Sequence, residues 1–513
     1  MNPILPRAAE RLILGLACAL LPLAHAAAAP EKCAYIPLAK LPLRYSGPSL
    51  EITTTGSING TPAEFLVDTG ANETFLTRTG TEARGMKLYD TGDRASGIGG
   101  SVPIYAARVD EFVVGPVRTG RSNMSVLKHF GATPSFDAIL GAPFLLQADL
   151  EVSLATKQLT FFVPENCGNT YLGYWGEGVR DIPLLRHDQD DRNPRFIVYV
   201  NGTKLEAMID TGAFASTIRS AAAKRAGIAL DGPGAVRGTD IVGVGHYKAS
   251  RWIVNLKTFQ IGEETVQNAE FGVEDSGMNG AEVILGADFL RSHRVLFAMS
   301  QNKLYFSYVG GAPFAQRRTL DPWIEAEANN GNADAQLALA NAYTSGKLVP
   351  RDEARAASWL EKAVAGGSPR ALLSRGEDLV TRRDYAGAVR HLRAALDKLP
   401  AERHGAFALY IARVRTGQEA LAKSELASIF ARSPSDDWPK PLAEFYLGTL
   451  SADKLLAQVS DDRNGGKNRR CETLSAMGDW HRAHGQSAQA KALDEQLKAN
   501  CSENGQTYVN WGD

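Results

Sequence analysis

The sequence predicts a multidomain protein in which two related, mainly β halves are followed by an all-α region. Three observations support this fold class. A set of short motifs occurs twice in the same order, with nearly constant spacing. Both copies contain β-branched, apolar runs ending at Asn-Gly turns, the strongest short-range signal for a β-hairpin. After about Pro313 the composition shifts to Ala, Leu, Arg and Glu, which are strong helix formers.

The composition is that of a folded chain without a dominant charge. Its 513 residues are too many for a single core, and the length corresponds to roughly three domains. The 56 Lys and Arg residues nearly balance the 57 Asp and Glu residues, leaving a net charge of −1. A binder of nucleic acid or of anionic membranes would show a basic excess. We therefore expect neither as a partner.

The first residues predict a secretory signal. A short basic stretch precedes an apolar core at residues 12–24, which is too short to span a bilayer comfortably. Ala24-His25-Ala26 then supplies small residues at the −3 and −1 positions of a cleavage site. We predict that residues 1–26 are removed on secretion into a bacterial periplasm, and that the mature chain has no membrane span. The alternative is an uncleaved N-terminal anchor.

Four of the five cysteines lie beyond the predicted signal: Cys33, Cys167, Cys471 and Cys501. An even number in an oxidising compartment is compatible with two disulfides. The simplest pairing is Cys33 with Cys167 and Cys471 with Cys501, because each pair then brackets one structural unit. Free buried thiols are the alternative. Since no C-x-x-C spacing occurs, we expect no metal site.

A duplication with a fixed offset divides the β-rich part. Asp210 follows Asp68 by 142 positions, and Asn201 follows Asn59 by the same number. Chance could supply one Asp-Thr-Gly, but it would rarely supply three motifs twice in one order. The paired motifs are Asp68-Thr69-Gly70-Ala71 with Asp210-Thr211-Gly212-Ala213, Gly97-Ile98-Gly99-Gly100 with Gly243-Val244-Gly245-His246, and Ile139-Leu140-Gly141 with Ile284-Leu285-Gly286.

These motifs resemble those of retropepsin-like aspartic proteases, and the resemblance covers about residues 45–310 in two copies. In that family each half supplies one catalytic Asp, one flap and a hydrophobic-hydrophobic-Gly segment near the active-site loop. The resemblance implies a catalytic dyad of Asp68 and Asp210 within one chain. It further implies a monomer that acts as an intramolecular pseudo-dimer without a cofactor.

The chemistry explains why such a motif needs two carboxyls. Hydrolysis of a peptide bond by water requires both a base and an acid. Two carboxyls that share one proton supply both, which is how aspartic proteases in general work. From the resemblance, Gly70 and Gly212 let the backbone pass close to the carboxylates, and Thr69 and Thr211 hydrogen-bond across the pseudo-twofold axis.

Several positions depart from the family pattern. Ala71 and Ala213 stand where pepsin-like enzymes usually have Ser. Without that hydroxyl the dyad should titrate higher, so we expect activity at mildly acidic or neutral pH. The two Gly-rich tetrapeptides are predicted flap tips, and His246, which replaces a glycine there, is expected to be exposed or to contact substrate. Pro143 stands where the second copy has Asp288, so support of the two loops should differ.

No competing catalytic motif occurs in the sequence. It contains no H-E-x-x-H, no G-x-S-x-G and no P-loop. His293 lies between two arginines after a predicted strand, and we expect it at the surface rather than in a site.

The last part of the chain is predicted to form helical repeats. Residues 331–367 resemble a Sel1-like repeat, and the following unit fits a tetratricopeptide repeat. In the second unit, small residues where helices should pack closely, and a proline that should end a helix, occupy the expected positions: Gly376, Ala388, Ala395 and Pro400. Such repeats form curved surfaces that bind peptides or proteins. We therefore expect a polypeptide partner here, with a purely structural appendage as the alternative.

The predicted boundaries are a signal at 1–26, retropepsin-like halves at 30–168 and 169–312, and a helical-repeat domain at 316–513. The predicted function is that of a secreted aspartic endopeptidase whose repeats recruit a protein substrate or partner. The alternative is a non-catalytic envelope protein that binds peptides with the same fold and uses the repeats as an adaptor. Pairing of each half with another chain is disfavoured, because about 60 residues link the motifs of the two halves.

Overall fold

The computed structural model describes residues 32–128, 134–185, 193–232, 234–238, 240–241, 243–245, 249–274, 280–314, 319–400, 402–431, 438–459 and 466–501. The predicted signal peptide and His246 lie outside these residues. Two mainly β halves precede a helical region, as the sequence predicts.

The first half comprises thirteen strands and two short helices in the described chain. They are β1 Ala34–Pro42, β2 Arg44–Ser46, β3 Glu51–Ile58, β4 Thr61–Val67, β5 Phe75–Thr77, α1 Arg78–Glu82, β6 Leu88–Gly97, β7 Gly100–Val109, β8 Phe112–Val114, β9 Val117–Thr119, β10 Ser122–Leu127, β11 Ala138–Leu140, α2 Ala142–Leu145, β12 Asp149–Ser153 and β13 Gln158–Glu165.

The second half repeats much of this order. Its elements are β14 Arg180–Pro183, β15 Arg195–Val200, β16 Thr203–Ile209, β17 Thr217–Arg219, α3 Ser220–Arg225, β18 Val236–Arg237, β19 Arg251–Ile261, β20 Glu264–Glu274, β21 Val283–Leu285, α4 Ala287–Ser292, β22 His293–Ala298 and β23 Lys303–Tyr308, with a 3-10 turn at Met299–Gln301.

The helical region contains eleven helices in its described part. They are α5 Pro322–Asn329, α6 Ala333–Ser345, α7 Glu353–Ala365, α8 Pro369–Thr381, α9 Tyr385–Lys398, α10 Gly405–Arg415, α11 Glu419–Ala431, α12 Lys440–Tyr446, α13 Ala452–Gln458, α14 Gly466–Ala483 and α15 Ser487–Cys501.

The Asn-Gly pairs form the hairpins that the sequence predicts. Asn59 and Gly60 join β3 to β4 with φ angles of 52° and 73°, and Asn201 and Gly202 join β15 to β16 with 50° and 79°. Two successive positive φ angles match the right-handed twist of the paired strands, and Asn and Gly tolerate them best. Each Asn side chain also accepts a backbone N–H from the neighbouring hairpin.

The same strand arrangement surrounds the Asp-Thr-Gly loop in both halves. In the first half β11 lies between β4 and β5, parallel to β4 and antiparallel to β5. In the second half β21 lies in the same way between β16 and β17. Each loop therefore leaves a buried strand and passes close to the end of the Ile-Leu-Gly strand.

One sheet contains strands from both halves. Its order is β1-β13-β12-β22-β23-β14, and β12 pairs with β22 in antiparallel register, with Leu150 opposite Phe297 and Val152 opposite Val295. Two further sheets, of ten and seven strands, carry the rest of each half. Backbone hydrogen bonds across the shared sheet fix the position of one half relative to the other.

The helical region packs onto the β halves through a shared core. Buried side chains of α5 and α6, among them Ile324 and Leu339, belong to the same apolar cluster as the cores of both halves. The guanidinium of Arg291, on α4, lies 3.9 Å from the ring centroid of Trp323 on α5, and cation–π contacts of this kind are attractive. The sequence indicated a change of fold class here but not a continuous core.

Polar contacts connect the helical region to the first half. The backbone N–H of Gly47 donates to Asp334 at 2.8 Å, and Lys157 pairs with Glu327 at 2.7 Å. Further along the chain Arg403 pairs with Glu82 of α1 at 2.9 Å, with side chains only 3% and 9% exposed. Glu82 also pairs with Arg78 of its own helix at 3.3 Å, so Arg403 contacts a carboxylate that is already held within α1.

Within the helical region, small residues lie where helices approach closely. A Cβ on Gly376 of α8 would lie 2.5 Å from Cγ of Leu392 on α9. Ala388 and Ala395, on the facing side of α9, are fully buried. These small residues allow the close helix contacts expected of helical hairpins. The type of repeat remains a prediction.

Both predicted disulfides are confirmed. Cys33 is bonded to Cys167, and Cys471 is bonded to Cys501. Disulfides persist in oxidising compartments such as the extracellular space or the periplasm. Across the residues the structure describes, no helix is both long enough and apolar enough to cross a membrane.

We predict that Leu339→Ala will lower the stability of the β halves as well as that of the helices. Leu339 is 1% exposed within the shared core, and loss of such a side chain costs about 2–5 kcal/mol. Thermal unfolding should show one transition at a lower temperature by both far- and near-UV circular dichroism. Leu348→Ala, at a site that is 40% exposed, is the matched control and should unfold like wild type. Two separate transitions, of which only one shifts, would contradict the shared core.

Candidate active site

The two Asp-Thr-Gly loops hold their aspartates in equivalent surroundings. Asp68 follows β4, and its backbone N–H donates to the carbonyl of Leu140 at 3.0 Å. Asp210 follows β16, and its N–H donates to the carbonyl of Leu285 at 2.9 Å. Each Ile-Leu-Gly segment thus fixes the backbone of the aspartate in its own half.

Backbone N–H groups bind one oxygen of each carboxyl. Oδ1 of Asp68 accepts hydrogen bonds from Gly70 at 2.9 Å and from Ala71 at 3.0 Å. In the second loop, Oδ1 of Asp210 accepts from Gly212 at 2.8 Å and Ala213 at 3.2 Å. The loop that follows each aspartate therefore orients its side chain, and the alanines contribute their backbone N–H.

The two carboxyls lie within hydrogen-bonding reach of one another. The loops cross so closely that only glycine fits after each Asp-Thr pair. A Cβ on Gly70 would lie 2.4 Å from Cγ of Asp210, and a Cβ on Gly212 would lie 2.5 Å from Cγ of Asp68. Any larger residue at either position would push the carboxyls apart.

The buried threonines lock the loops together as the resemblance implies. The hydroxyl of Thr211 accepts the N–H of Thr69 at 3.0 Å and donates to the carbonyl of Val67 at 2.6 Å. The hydroxyl of Thr69 makes the reciprocal bonds, to the N–H of Thr211 at 3.1 Å and the carbonyl of Ile209 at 2.8 Å. Four hydrogen bonds thus join the two halves directly beneath the carboxyls.

The pair's surroundings favour retention of a proton. Burial, and then the neighbouring charge of Asp210, raise the pKa of Asp68 well above its usual range. Burial also raises the pKa of Asp210, although hydrogen bonds from Asp68 and from the backbone of its own loop oppose that rise. Two like charges in contact cannot both form easily, so the pair keeps one proton to higher pH than a free aspartate would.

Sequence reasoning missed a second pair of equivalent hydroxyls. The N–H of Gly141 donates to Oγ1 of Thr74 at 3.2 Å, and the N–H of Gly286 donates to Oγ of Ser216 at 3.1 Å. Each hydroxyl joins the Ile-Leu-Gly segment to the end of the aspartate loop. The constant offset could have identified them, because Ser216 follows Thr74 by the same 142 positions as the aspartates.

The difference between Pro143 and Asp288 makes the anchoring of the two aspartate loops unequal. Asp288 is buried and accepts hydrogen bonds from both the N–H and the hydroxyl of Ser216, at 2.8 Å and 2.6 Å. In the first half Pro143 lies at the start of α2, where its missing N–H is no loss. The Asp210 loop thus has a carboxylate anchor that the Asp68 loop lacks.

Asn193, which lies between the duplicated motifs of the two halves, contacts the Asp68 loop. The side-chain amide of Asn193, which is buried, donates to the carbonyl of Thr69 at 2.6 Å. Nothing in the sequence marked Asn193, because it lies outside the duplicated motifs.

The predicted flap segments meet at their tips. In the first half β6 and β7 form a hairpin around Ile98 and Gly99. The N–H of Gly99 donates to the carbonyl of Val244 at 2.8 Å, and Gly99 forms a parallel bridge with Gly245. In the described part of the second flap, β18 pairs with the start of β19, and Ile241 forms an isolated bridge with Ala249.

The second flap tip also contacts the apolar wall of the first half. Val244 packs, together with Ala71 of the Asp68 loop, against a cluster that includes Leu66, Phe75 and Ile139. A cleft covered in this way excludes water and strengthens the electrostatic interactions inside it.

His293 is buried, so the expectation that it lies at the surface is wrong. Its ring stacks on Phe289 with centroids 3.9 Å apart, and its Nε2 lies 2.8 Å from a carboxylate oxygen of Glu264. Strand β22 starts at this residue and carries its side chain into the core, which the neighbouring arginines did not suggest. The described residues include no group of three or more His, Cys, Asp and Glu side chains placed to hold a metal ion.

Each half of the β-rich part matches a protein-family model. Residues 54–144 match the family model described as "Aspartyl protease", and residues 197–292 match that described as "gag-polyprotein putative aspartyl protease". Each half is thus similar to an aspartyl protease family over the matched residues. No curated protein matches the chain.

Several solved structures are similar to part of the chain. The aspartic proteinase from Irpex lacteus is 15% identical, covering 54% of this chain and 97% of its own, with a TM-score of 0.35. A retropepsin-like aspartic protease from Rickettsia conorii is 22% identical, covering 25% and 92%, with a TM-score of 0.20. Basic 7S globulin from soybean is 14% identical, covering 52% and 94%, with a TM-score of 0.31.

We predict that Thr211→Val will destabilise the protein by about 2–5 kcal/mol, because it leaves the buried N–H of Thr69 and the carbonyl of Val67 without a partner. Urea unfolding followed by intrinsic fluorescence would measure the loss. Thr211→Ser keeps the hydroxyl and should lose much less. Equal losses in the two variants would show that the methyl group, and not the hydrogen bonds, matters.

We predict that the dyad will make stability at neutral pH lower than in acid. Because the pKa values are raised in the folded protein, the stabilisation by the shared proton is complete below the ordinary range of Asp and is lost as pH rises through the raised values. Asp68→Asn should therefore unfold at a higher temperature than wild type at neutral pH, with a difference that shrinks in acid. A pH-independent difference would contradict a shared proton.

Proposed function

We propose that this protein is an aspartic endopeptidase that acts on polypeptides in an oxidising compartment outside the cytoplasm. One observation carries the proposal: two carboxyls from duplicated loops meet within hydrogen-bonding reach, in surroundings that raise the pKa of both. Such a pair combines a base and an acid in one site, as hydrolysis by water requires.

The two aspartates would divide the chemistry. Burial raises the pKa of both carboxyls, and because they interact closely the shared proton belongs to the pair rather than to one aspartate. A water molecule bound between the carboxyls would give its proton to the charged carboxyl while the protonated one protonates the carbonyl oxygen of the substrate. Breakdown of the tetrahedral intermediate then needs a proton on the leaving nitrogen, which the same carboxyls can return.

The fold supports a role for the flaps in this reaction. The tips touch each other through Gly99 and Val244, so a substrate chain can enter only if this contact opens. Glycine on both sides permits such a movement, and closure over the bound peptide would exclude bulk water. The two disulfides support action outside the reducing cytoplasm, and a cleaved signal with delivery to a periplasm belongs to the same proposal.

The alternative function is that of a protein that binds peptides without cleaving them. A fold that only binds peptides has no need for a proton-sharing carboxyl pair held by four hydrogen bonds. The contact of the carboxyls therefore favours catalysis. Recruitment of a protein substrate by the helical region is part of our proposal and accounts for its close attachment to both halves.

We predict that Asp68→Asn and Asp210→Asn will each reduce cleavage of an unfolded protein at least about a hundredfold, since either change removes acid–base catalysis. Mass spectrometry of the fragments provides the measurement. Asp110→Asn, at an exposed residue paired with Arg121, is the control and should cleave like wild type. Full activity in either dyad variant would overturn the mechanism. Saturable peptide binding by wild type with no cleavage would establish the alternative.

We expect the pH–rate profile to peak between mildly acidic and neutral pH. The alkaline limb follows loss of the shared proton, and burial of the two carboxyls raises the pKa at which the pair loses it. The acidic limb follows uptake of a second proton by the pair, which removes the base, so activity in strong acid should be low. A maximum below about pH 3, in the range of the lower pepsin pKa, would contradict this expectation.

A further inference from the structure

The helical region contains a pocket that the proposed protease chemistry does not use. It has a volume of about 350 Å³ and lies between the α8–α9 turn, α10 and the C-terminal pair α14 and α15. Its size is at the lower end of the range for ligand-binding pockets in proteins. Four cationic and two anionic side chains line it, for a net charge of +2.

One of the four cations is neutralised within the pocket. Arg482 pairs with Asp479 at 2.6 Å and with Asp494 at 2.7 Å. These two carboxylates therefore serve to hold Arg482 in place, and this group of three has a net charge of −1.

The other three cations are available to a ligand. Arg383, Arg415 and Lys491 are exposed, and none of them pairs with a carboxylate in the described part of the chain. The guanidinium of Arg415 lies 5.2 Å from the ring centroid of Tyr385 and donates to the carbonyl of Arg482 at 3.4 Å. These contacts orient Arg415 without neutralising it.

The backbone of Arg383 has an unusual conformation at the edge of the pocket. Its φ is +65°, in the left-handed region that side chains other than Gly and Asn rarely adopt. At the other positive-φ positions of the helical region that the structure describes, the residue is glycine: Gly331, Gly346, Gly367, Gly417, Gly448 and Gly485. An arginine at such a turn is less favourable than glycine for folding alone. Residues held in strained conformations are concentrated at functional sites, and this one lines the pocket.

The remaining lining is suited to the body of a peptide. Ile411, Ala483 and Ala490 supply apolar surface beside the charged groups, and Tyr385 supplies an aromatic ring. A compact phosphate would leave this surface uncovered and would lie near the carboxylates of Asp479 and Asp494. Carboxylates spaced along a peptide can instead reach the three cations while the chain covers the apolar residues.

We propose that this pocket binds an acidic polypeptide segment, with Arg383, Arg415 and Lys491 as its carboxylate-binding residues. Through this site the helical region would select partners that carry clustered Asp and Glu residues. It requires no catalysis by Asp68 and Asp210, so the proposal stands or falls independently of the protease function.

The test uses a fluorescein-labelled decapeptide of alternating Glu and Ser, and the same peptide with Gln in place of Glu. Fluorescence anisotropy with the full-length Asp210→Asn protein prevents loss of the probe by cleavage. We expect saturable binding of the acidic peptide that weakens as salt is added, and much weaker binding of the Gln peptide. No binding, or equal binding of both peptides, would overturn the proposal.

Three variants distinguish the pocket from general charge attraction. Arg383→Gly and Lys491→Gln should each weaken binding roughly fivefold or more, as expected for loss of a hydrogen bond to a charged group. Lys498→Gln changes the same charge on α15 outside the pocket and should bind like the parent protein. Because glycine suits a positive φ, Arg383→Gly should unfold at an equal or higher temperature, so that its loss of affinity cannot be due to unfolding.

Two further results would overturn the proposal. The first is unchanged affinity in both Arg383→Gly and Lys491→Gln. The second is displacement of the acidic peptide by inorganic phosphate at a concentration at which sodium chloride does not displace it. That result would indicate a site for small anions instead.

Discussion

Contact between two carboxyl groups is the constraint on which the rest of this structure depends. Like charges at hydrogen-bonding distance repel unless a proton is shared, so the pair exists only because the backbone holds it. Crossed hydrogen bonds between Thr69 and Thr211 bring the loops together, and Gly70 and Gly212 remove the side chains that would separate them. The raised pKa values follow from this enforced proximity and from burial.

Farther from the carboxyls, a shared sheet and the helical region also hold the two halves in place. A sheet shared by both halves sets their relative position through the pairing of β12 with β22, and the helices continue the same apolar core. Arg291 stacks on Trp323 only three residues after Asp288, the anchor of the Asp210 loop. The helical region is therefore packed against the protease-like body and is not a loosely tethered adaptor.

Duplication supplied a symmetric framework that the two halves then modified separately. Both retain the Asp, Thr and Gly positions and a hydroxyl at Thr74 or Ser216 that binds the Ile-Leu-Gly segment. Only the second half adds the carboxylate of Asp288 at this position, where the first half has Pro143. Since a peptide is itself asymmetric along its length, unequal halves can contact its two ends differently.

The sequence by itself determined the fold class, the hairpin turns and the residues of the candidate dyad, because each depends on local chemistry or on a repeated spacing. The disulfide pairing it offered was one of several and needed the structure to confirm it. Only the tertiary structure decided which groups share a proton, that Asn193 reaches Thr69, that His293 is buried, and that three cations from separate helices line one pocket. These outcomes depend on contacts between segments far apart in the chain. No local pattern encodes such contacts, since packing of the whole core determines which distant side chains meet.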